Sequence, residues 1–114
     1  MLSIGQDTQI YIRRVATDMR NSFDGLSALA CDLIRRNPTV NQFFVFLNKR
    51  RNIVKILSWD SDGLALYAKR LEQGTYRPPD ISPDGTKTID RAELMLMLDG
   101  IDVIKMKRRK RYGK

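Results

Sequence analysis

Two sets of charged residues in this chain have the types and spacing from which sites are built. The first is acidic: Asp60 and Asp62 lie two apart, and Asp18, Asp24 and Glu72 stand further off along the chain. Together they are the kind of set a metal-dependent nuclease draws on, provided several carboxylates converge on one cleft. Residues 60–63 read DSDG and supply the first and third positions of a calcium loop, but the glycine at the sixth position and the closing glutamate are missing. A hairpin turn, in which Asp and Gly satisfy local backbone geometry, accounts for the same residues. The chain has no His and one cysteine, Cys31. The usual zinc sites, His-activated nucleophiles and an internal disulfide are therefore unavailable. The expectation is a protein with no catalytic residue, no metal and no cofactor.

The second set is basic. Lys49, Arg50 and Arg51 are consecutive, and Lys105, Lys107, Arg108, Arg109, Lys110 and Arg111 crowd the C-terminal end with Tyr112 beside them. The formal net charge is +8 over 114 residues. Residues 105–114 contain no acid, so the excess belongs mainly to them, and residues 1–104 are almost neutral. Charge placed this unevenly points to a polyanion partner. Phosphate contacts of this type add affinity and a steep salt dependence without choosing a sequence. Lys55, Lys69 and Arg70 fall inside otherwise apolar segments. Their heads must reach water, pair with acids such as Asp60 or Glu72, or meet a ligand. Trp59, Tyr67 and Tyr76 fit a base-stacking platform, but aromatics in a meander more often belong to the core.

These residues need elements to position them. Residues 9–15 alternate around Ile10 and Ile12 as a first strand. Thr17 is placed to cap a helix over 18–36 whose apolar positions Met19, Phe23, Leu26, Ala30 and Leu33 recur at four and three residues. Gly25 invites a break near its start, and Asn37-Pro38 is the expected stop. Residues 42–48, 53–59 and 64–71 then form three strands whose short links, 49–52 and 60–63, dictate an antiparallel meander. In the simplest register Ile53, Lys55, Leu57 and Trp59 share a face with Leu64, Leu66, Ala68 and Arg70, while Val54, Ile56, Ser58, Ala65, Tyr67 and Lys69 share the other. Both faces are largely apolar, which calls for cover on both sides. Residues 73–88 carry the prolines and glycines of a loop. Asp90 with Glu93 forms a capping box ahead of a short helix, 91–98, that Gly100 ends. The expected fold is thus α+β: an antiparallel β-meander packed against a long helix, a short C-terminal helix, and a basic tail. The division is one domain over 1–104 and a disordered tail over 105–114.

The residues in these elements resemble a known family. Residues 17–20 (TDMR), 23–26 (FDGL), 44–46 (FVF), 53–57 (IVKIL), Trp59-Asp60, Gly63-Leu64, 69–72 (KRLE) and Gly74 recur in order, followed by 94–98 (LMLML) with Gly100-Ile101-Asp102. This run, from about Val15 to Asp102, is similar to the TnpB accessory proteins encoded by the second open reading frame of the insertion-sequence family numbered sixty-six. Asn21-Ser22 and Asn52 depart from the pattern, where a basic residue with glycine and an acid are usual.

The resemblance implies a role in DNA transposition beside a separately encoded transposase, with no established active site. Its charged or aromatic motif positions here are Asp18, Arg20, Asp24, Lys55, Trp59, Asp60, Lys69, Arg70 and Glu72, with no role implied for any one of them. Taken with the charge pattern, the expected partners are DNA, met mainly at phosphates, and the transposase. A protein-interaction module for transposase that does not touch DNA, with its apolar patch near Met95 and Met97, is the alternative, as is a general nucleic-acid-binding protein. No apolar stretch approaches the length of a membrane span and no secretory signal opens the chain. A cytoplasmic protein is expected.

Overall fold

The computed structural model describes residues 4–5, 7–79 and 86–99. The basic stretch 105–114, with the expected stop at Gly100, lies outside the described residues. Five strands and two helices follow in the order β1 (Gln9–Arg13), α1 (Phe23–Ile34), β2 (Gln42–Leu47), β3 (Ile53–Trp59), β4 (Leu64–Arg70), β5 (Thr86–Ile89) and α2 (Arg91–Leu98). The strands form one sheet in the order β4-β3-β2-β1-β5.

The expected meander is present as β2–β3–β4 with the expected faces: Ile53 pairs with Arg70, Lys55 with Ala68, Leu57 with Leu66 and Trp59 with Leu64. It is part of a larger sheet, however. β1 runs parallel to β2, with Ile10 opposite Phe43 and Ile12 opposite Val45, so β1, α1 and β2 form a β–α–β crossover. β5 then adds antiparallel to the outer edge of β1, pairing Ile10 with Ile89 and Arg13 with Thr86. Its four residues lie mostly in the stretch read as a loop. A segment that short carries too little alternation to compete with the Pro and Gly signals before it; pairing with β1 is what makes it a strand.

Each sheet face has its own core. Leu26 and Ala30 of α1 pack on Phe44, Phe46 and Leu57, with Trp59, Leu64 and Leu66 around them. On the opposite face Leu94 and Met97 of α2, together with Tyr76, cover Ile10, Ile12, Val45, Val54, Ile56 and Ile89. Every residue of β2 is buried, as the central strand of a sheet covered on both sides must be. The aromatic residues belong to this packing. Phe44 stacks on Tyr11 at 5.3 Å and meets the edge of Trp59 at 5.8 Å, and Tyr76 is fully buried.

The long helix expected over 18–36 is shorter at both ends. Thr17 does not cap it. That residue is buried, its N–H donates to the Leu47 carbonyl at 2.8 Å, and its hydroxyl accepts from Arg13. Residues 18–22 stay non-helical because side chains take the backbone groups a helix would use. Asp18 Oδ1 accepts from the Arg20 N–H, and Asn21 Nδ2 donates to the Asp18 carbonyl. Gly25 sits where Asn21 Oδ1 crosses the helix start, a place a Cβ would occupy. At the other end the helix stops before the expected Asn37-Pro38: Arg35, at φ 60°, is its left-handed cap, and its N–H bonds to the Cys31 carbonyl. The Asp90–Glu93 capping box of α2 forms in both directions, at 2.7 and 3.0 Å.

Candidate nucleic-acid interface

The parallel pairing of β1 with β2 decides where the charges go. β1 and β2 finish at the same end of the sheet, so Arg13 and Arg14 arrive beside the turn that carries Lys49, Arg50 and Arg51. β4 ends there as well, because Arg70 pairs with Ile53 and Lys69 with Val54. The chain after β4 returns to the same place: the Leu71 N–H bonds to the Asn52 carbonyl and the Tyr76 N–H to the Arg51 carbonyl at 2.6 Å, which brings Arg77 alongside. Asp60 and Asp62 sit at the opposite end, with Asp7 before β1 and Asp90 and Glu93 after β5. The near-neutral body is therefore polarised, with a cationic end and an end that carries these acids, spread across the sheet, together with Arg35, Arg36 and Arg91.

The cationic turn is held rigidly. Asn48 Oδ1 accepts from the N–H groups of Asn52 and Ile53, both at 3.0 Å, and its Nδ2 donates to Asn52 Oδ1 at 2.7 Å. Asn52, where the family pattern usually has an acid, is thereby a structural partner of the turn. Arg51 adopts φ 60°, a left-handed conformation that costs an arginine on the order of 1 kcal/mol. Two recesses flank this turn and share Ala16, Asn48 and Lys49 as a wall. One, of about 420 Å³, is also lined by Thr17, Asp18, Met19 and Arg50. The other, of about 130 Å³, is lined by Arg13, Arg14, Leu47, Arg51 and Pro78.

The segment 17–22 forms one side of this end, and Lys55 holds it down. From the middle of β3 its Nζ donates to the carbonyls of Met19 and Asn21, both at 2.8 Å. A cation inside an apolar strand thus satisfies carbonyls that a helix would have satisfied internally. Asp18 and Arg20 close the same segment with a fork of contacts between 2.6 and 3.1 Å. The hydrogen bonds from the Arg20 side chain and backbone lower the Asp18 carboxyl to a pKa of about 2, and Asp18 in turn raises the Arg20 guanidinium. Burial, with Tyr67 nearby, pushes the Tyr76 phenol up.

The remaining sequence candidates are distributed rather than gathered. Arg70 lies 3.8 Å from Glu72 with both side chains largely exposed, an ion pair of little energetic weight. Lys69 is exposed beside it. Asp24 sits in the first turn of α1, where the helix dipole favours an acid. Trp59 packs against Phe44, and Asp60 closes the β3–β4 turn through its N–H to the Gly63 carbonyl. Among the described residues no group of three His, Cys, Asp or Glu is close enough to hold a metal ion. The apolar patch expected near Met95 and Met97 is divided, since Met95 is exposed and Met97 buried. Lys105, Lys107, Arg108, Arg109, Lys110 and Arg111 lie outside the described residues. Arg13, Arg14 and Arg77 were missed as site residues. A strand, helix and strand at the start of the chain is the signal that would have found the first two, because such a unit calls for parallel pairing and sets both strand ends side by side.

The motif order along these elements is that of a known family: the family model described as "IS66 Orf2 like protein" matches residues 8–108. The chain belongs to the IS66 Orf2-like family. This is an accessory-protein family of insertion sequences and not a known enzyme family. Two proteins of Sinorhizobium fredii (strain NBRC 101917 / NGR234) are similar to this IS66 Orf2-like chain. Uncharacterized protein y4hO is 32% identical over 102 residues, covering 90% of this chain and 88% of its own. Uncharacterized protein y4jC is 28% identical over 109 residues, covering 96% and 92%. No solved structure matches the chain significantly. Among the described residues no helix is long and apolar enough to cross a membrane.

Proposed function

We propose that this IS66 Orf2-like protein acts in the cytoplasm as a non-catalytic accessory factor of insertion-sequence transposition, binding element DNA through the cationic end of its sheet while it engages the transposase. The observation that carries this reading is the convergence at one sheet end of Arg13 from β1 and Arg14 just after it, Lys49, Arg50 and Arg51 from the β2–β3 turn, and Lys69 and Arg70 from β4. Sequence positions far apart are brought together by strand pairing, and like charges gathered against their mutual repulsion favour an anionic partner. The basic segment 105–114, with no acid among its residues, adds a second source of phosphate contacts.

A salt titration of binding to a duplex fragment tests this, using the full chain and a chain ending at residue 104. The expected result is a steep loss of affinity with salt, a smaller slope for the shortened chain, and residual binding by the body alone. No binding by either chain at low salt overturns the reading. Equal affinity of the two chains removes the tail from it. Pull-down of transposase with and without nuclease then separates direct protein contact from bridging by DNA.

A further inference from the structure

Of the two recesses beside the cationic turn, only one is built for an anion. The 420 Å³ recess contains Asp18, whose carboxylate already sits in the fork of Arg20. Among the described residues the 130 Å³ recess has no carboxylate in its lining, and Arg13, Arg14, Lys49 and Arg51 surround it. Its walls are stiff. Leu47 is buried at the end of β2, the turn is pinned by the Asn48 side chain, and Pro78 closes the third side. Arg13 is half-buried and fixed, its Nη1 donating to Thr17 Oγ1 at 2.9 Å and to the Val15 and Ala16 carbonyls at 3.4 Å. A guanidinium has five N–H donors in a planar fork, more than Nη1 needs for those bonds, and that geometry suits phosphate oxygens.

We propose that the recess bounded by Arg13, Arg14, Lys49 and Arg51 is a binding site for a single phosphate group. The proposal rests on the cationic end being a DNA surface and narrows it to one anchoring contact. A backbone phosphodiester and a terminal phosphate share this chemistry, so the test carries an arm for each.

Arg51 and Arg35 provide a matched pair of variants. Both have φ 60°, so glycine is well accommodated at either position, and they lie at opposite ends of the sheet. Inorganic phosphate is titrated into the ¹⁵N-labelled full chain at constant ionic strength. Saturable shifts confined to the amides of residues 13–16 and 48–51 are expected. Arg51→Gly should raise the half-saturation concentration about tenfold, the weight of one charged hydrogen-bond partner, and Arg35→Gly should leave it unchanged. Shifts that never saturate, or equal responses in the two variants, overturn the site. Duplex binding is then measured with and without 5′-phosphates. A loss on removing the 5′-phosphate, seen in the parent chain but not in Arg51→Gly, supports a terminal ligand. Indifference to it, with a log–log salt slope about 0.9 smaller in Arg51→Gly, supports a backbone phosphodiester. Saturable phosphate binding without duplex binding supports the site and overturns the DNA reading. Duplex binding with an unchanged slope and no phosphate saturation does the reverse.

Discussion

The two ends of the sheet are made from the same kind of part, a short turn between antiparallel strands, and differ in how much of the chain is tied to it. The β3–β4 turn, with Asp60 and Asp62, is closed by one backbone bond from the Asp60 N–H to the Gly63 carbonyl at 2.7 Å. The β2–β3 turn is held by the Asn48 side chain from within and receives the Leu71 and Tyr76 N–H groups from outside. Charge alone does not separate the two turns. What separates them is that one is a free hairpin and the other is the meeting point of β1, β2, β4 and the chain beyond it. A ligand that needs several fixed donors is served by the second arrangement only.

The largest expected effect tests that contrast directly. Replacing Lys49 and Arg50 by Gln and Arg51 by Gly in one chain should weaken duplex binding on the order of a hundredfold at low salt, if each side chain contributes about 1 kcal/mol. The log–log salt slope should fall by about 0.9 for each phosphate that the variant no longer neutralises. Asp60→Asn with Asp62→Asn, at the other end, should change affinity less than about twofold, because its influence reaches the cationic turn only through screened solvent. Comparable effects from both ends would dissolve the distinction between them.

Next in size is Lys55→Met. Two hydrogen bonds from a charged donor disappear and the Met19 and Asn21 carbonyls lose their partner. A loss of about 2 kcal/mol in urea unfolding is expected, with faster amide exchange over residues 17–22 and none of that increase at 60–63. An unchanged midpoint would mean that water replaces the ammonium without cost, and that the wall of the cationic end does not depend on β3.

Much of this was legible in the residues, and what was not has physical causes. Alternation in 53–59 and 64–71 carried the pairing and both faces, since a one-residue slip would have turned the apolar set outward. The Asp90–Glu93 spacing carried the α2 cap because both partners are local. Helix periodicity from Met19 onward misled, because Met19 packs on the same core as α1 from a non-helical segment. The next N–H, of Arg20, is claimed by Asp18, and the Met19 carbonyl by Lys55, 36 residues away in sequence. The basic triplet at 49–51 was visible by composition. Its joining with Arg13 and Arg14 follows from the parallel pairing of β1 with β2, which the strand–helix–strand order implies but the alternation within either strand does not.

A smaller effect separates the turns by stability rather than binding. Asn48→Ala removes the acceptor for two backbone N–H groups and should cost about 1–2 kcal/mol. Gly63→Ala should be within about 0.5 kcal/mol of neutral. Gly63 is not among the positive-φ residues, and a Cβ there would meet nothing within 4 Å. Chemical denaturation of the two variants side by side checks this. Equal losses would mean that the β2–β3 turn is no more tightly determined than the plain hairpin.

The smallest expected effect concerns pH and singles out the cationic end. The Asp18 carboxyl in the folded chain lies at about 2, below its ordinary 3.8, because Arg20 hydrogen-bonds to the charged form. The folded state therefore binds this proton less readily than the unfolded one. Its stabilisation is present above about pH 4 and is lost as pH falls through about 2. The pair lies at the surface, so the change should be local rather than a global unfolding. Amide spectra recorded from pH 5 down to pH 2 should show Arg20 and Asn21 shifting together in that window, and Asp18→Asn should abolish the transition. The amides of residues 43–46, a stretch of β2 that contains no carboxylate, should not follow it. If residues 43–46 move with the same midpoint, the acid transition belongs to the whole sheet and the clasp at residues 18–20 is not an independent unit.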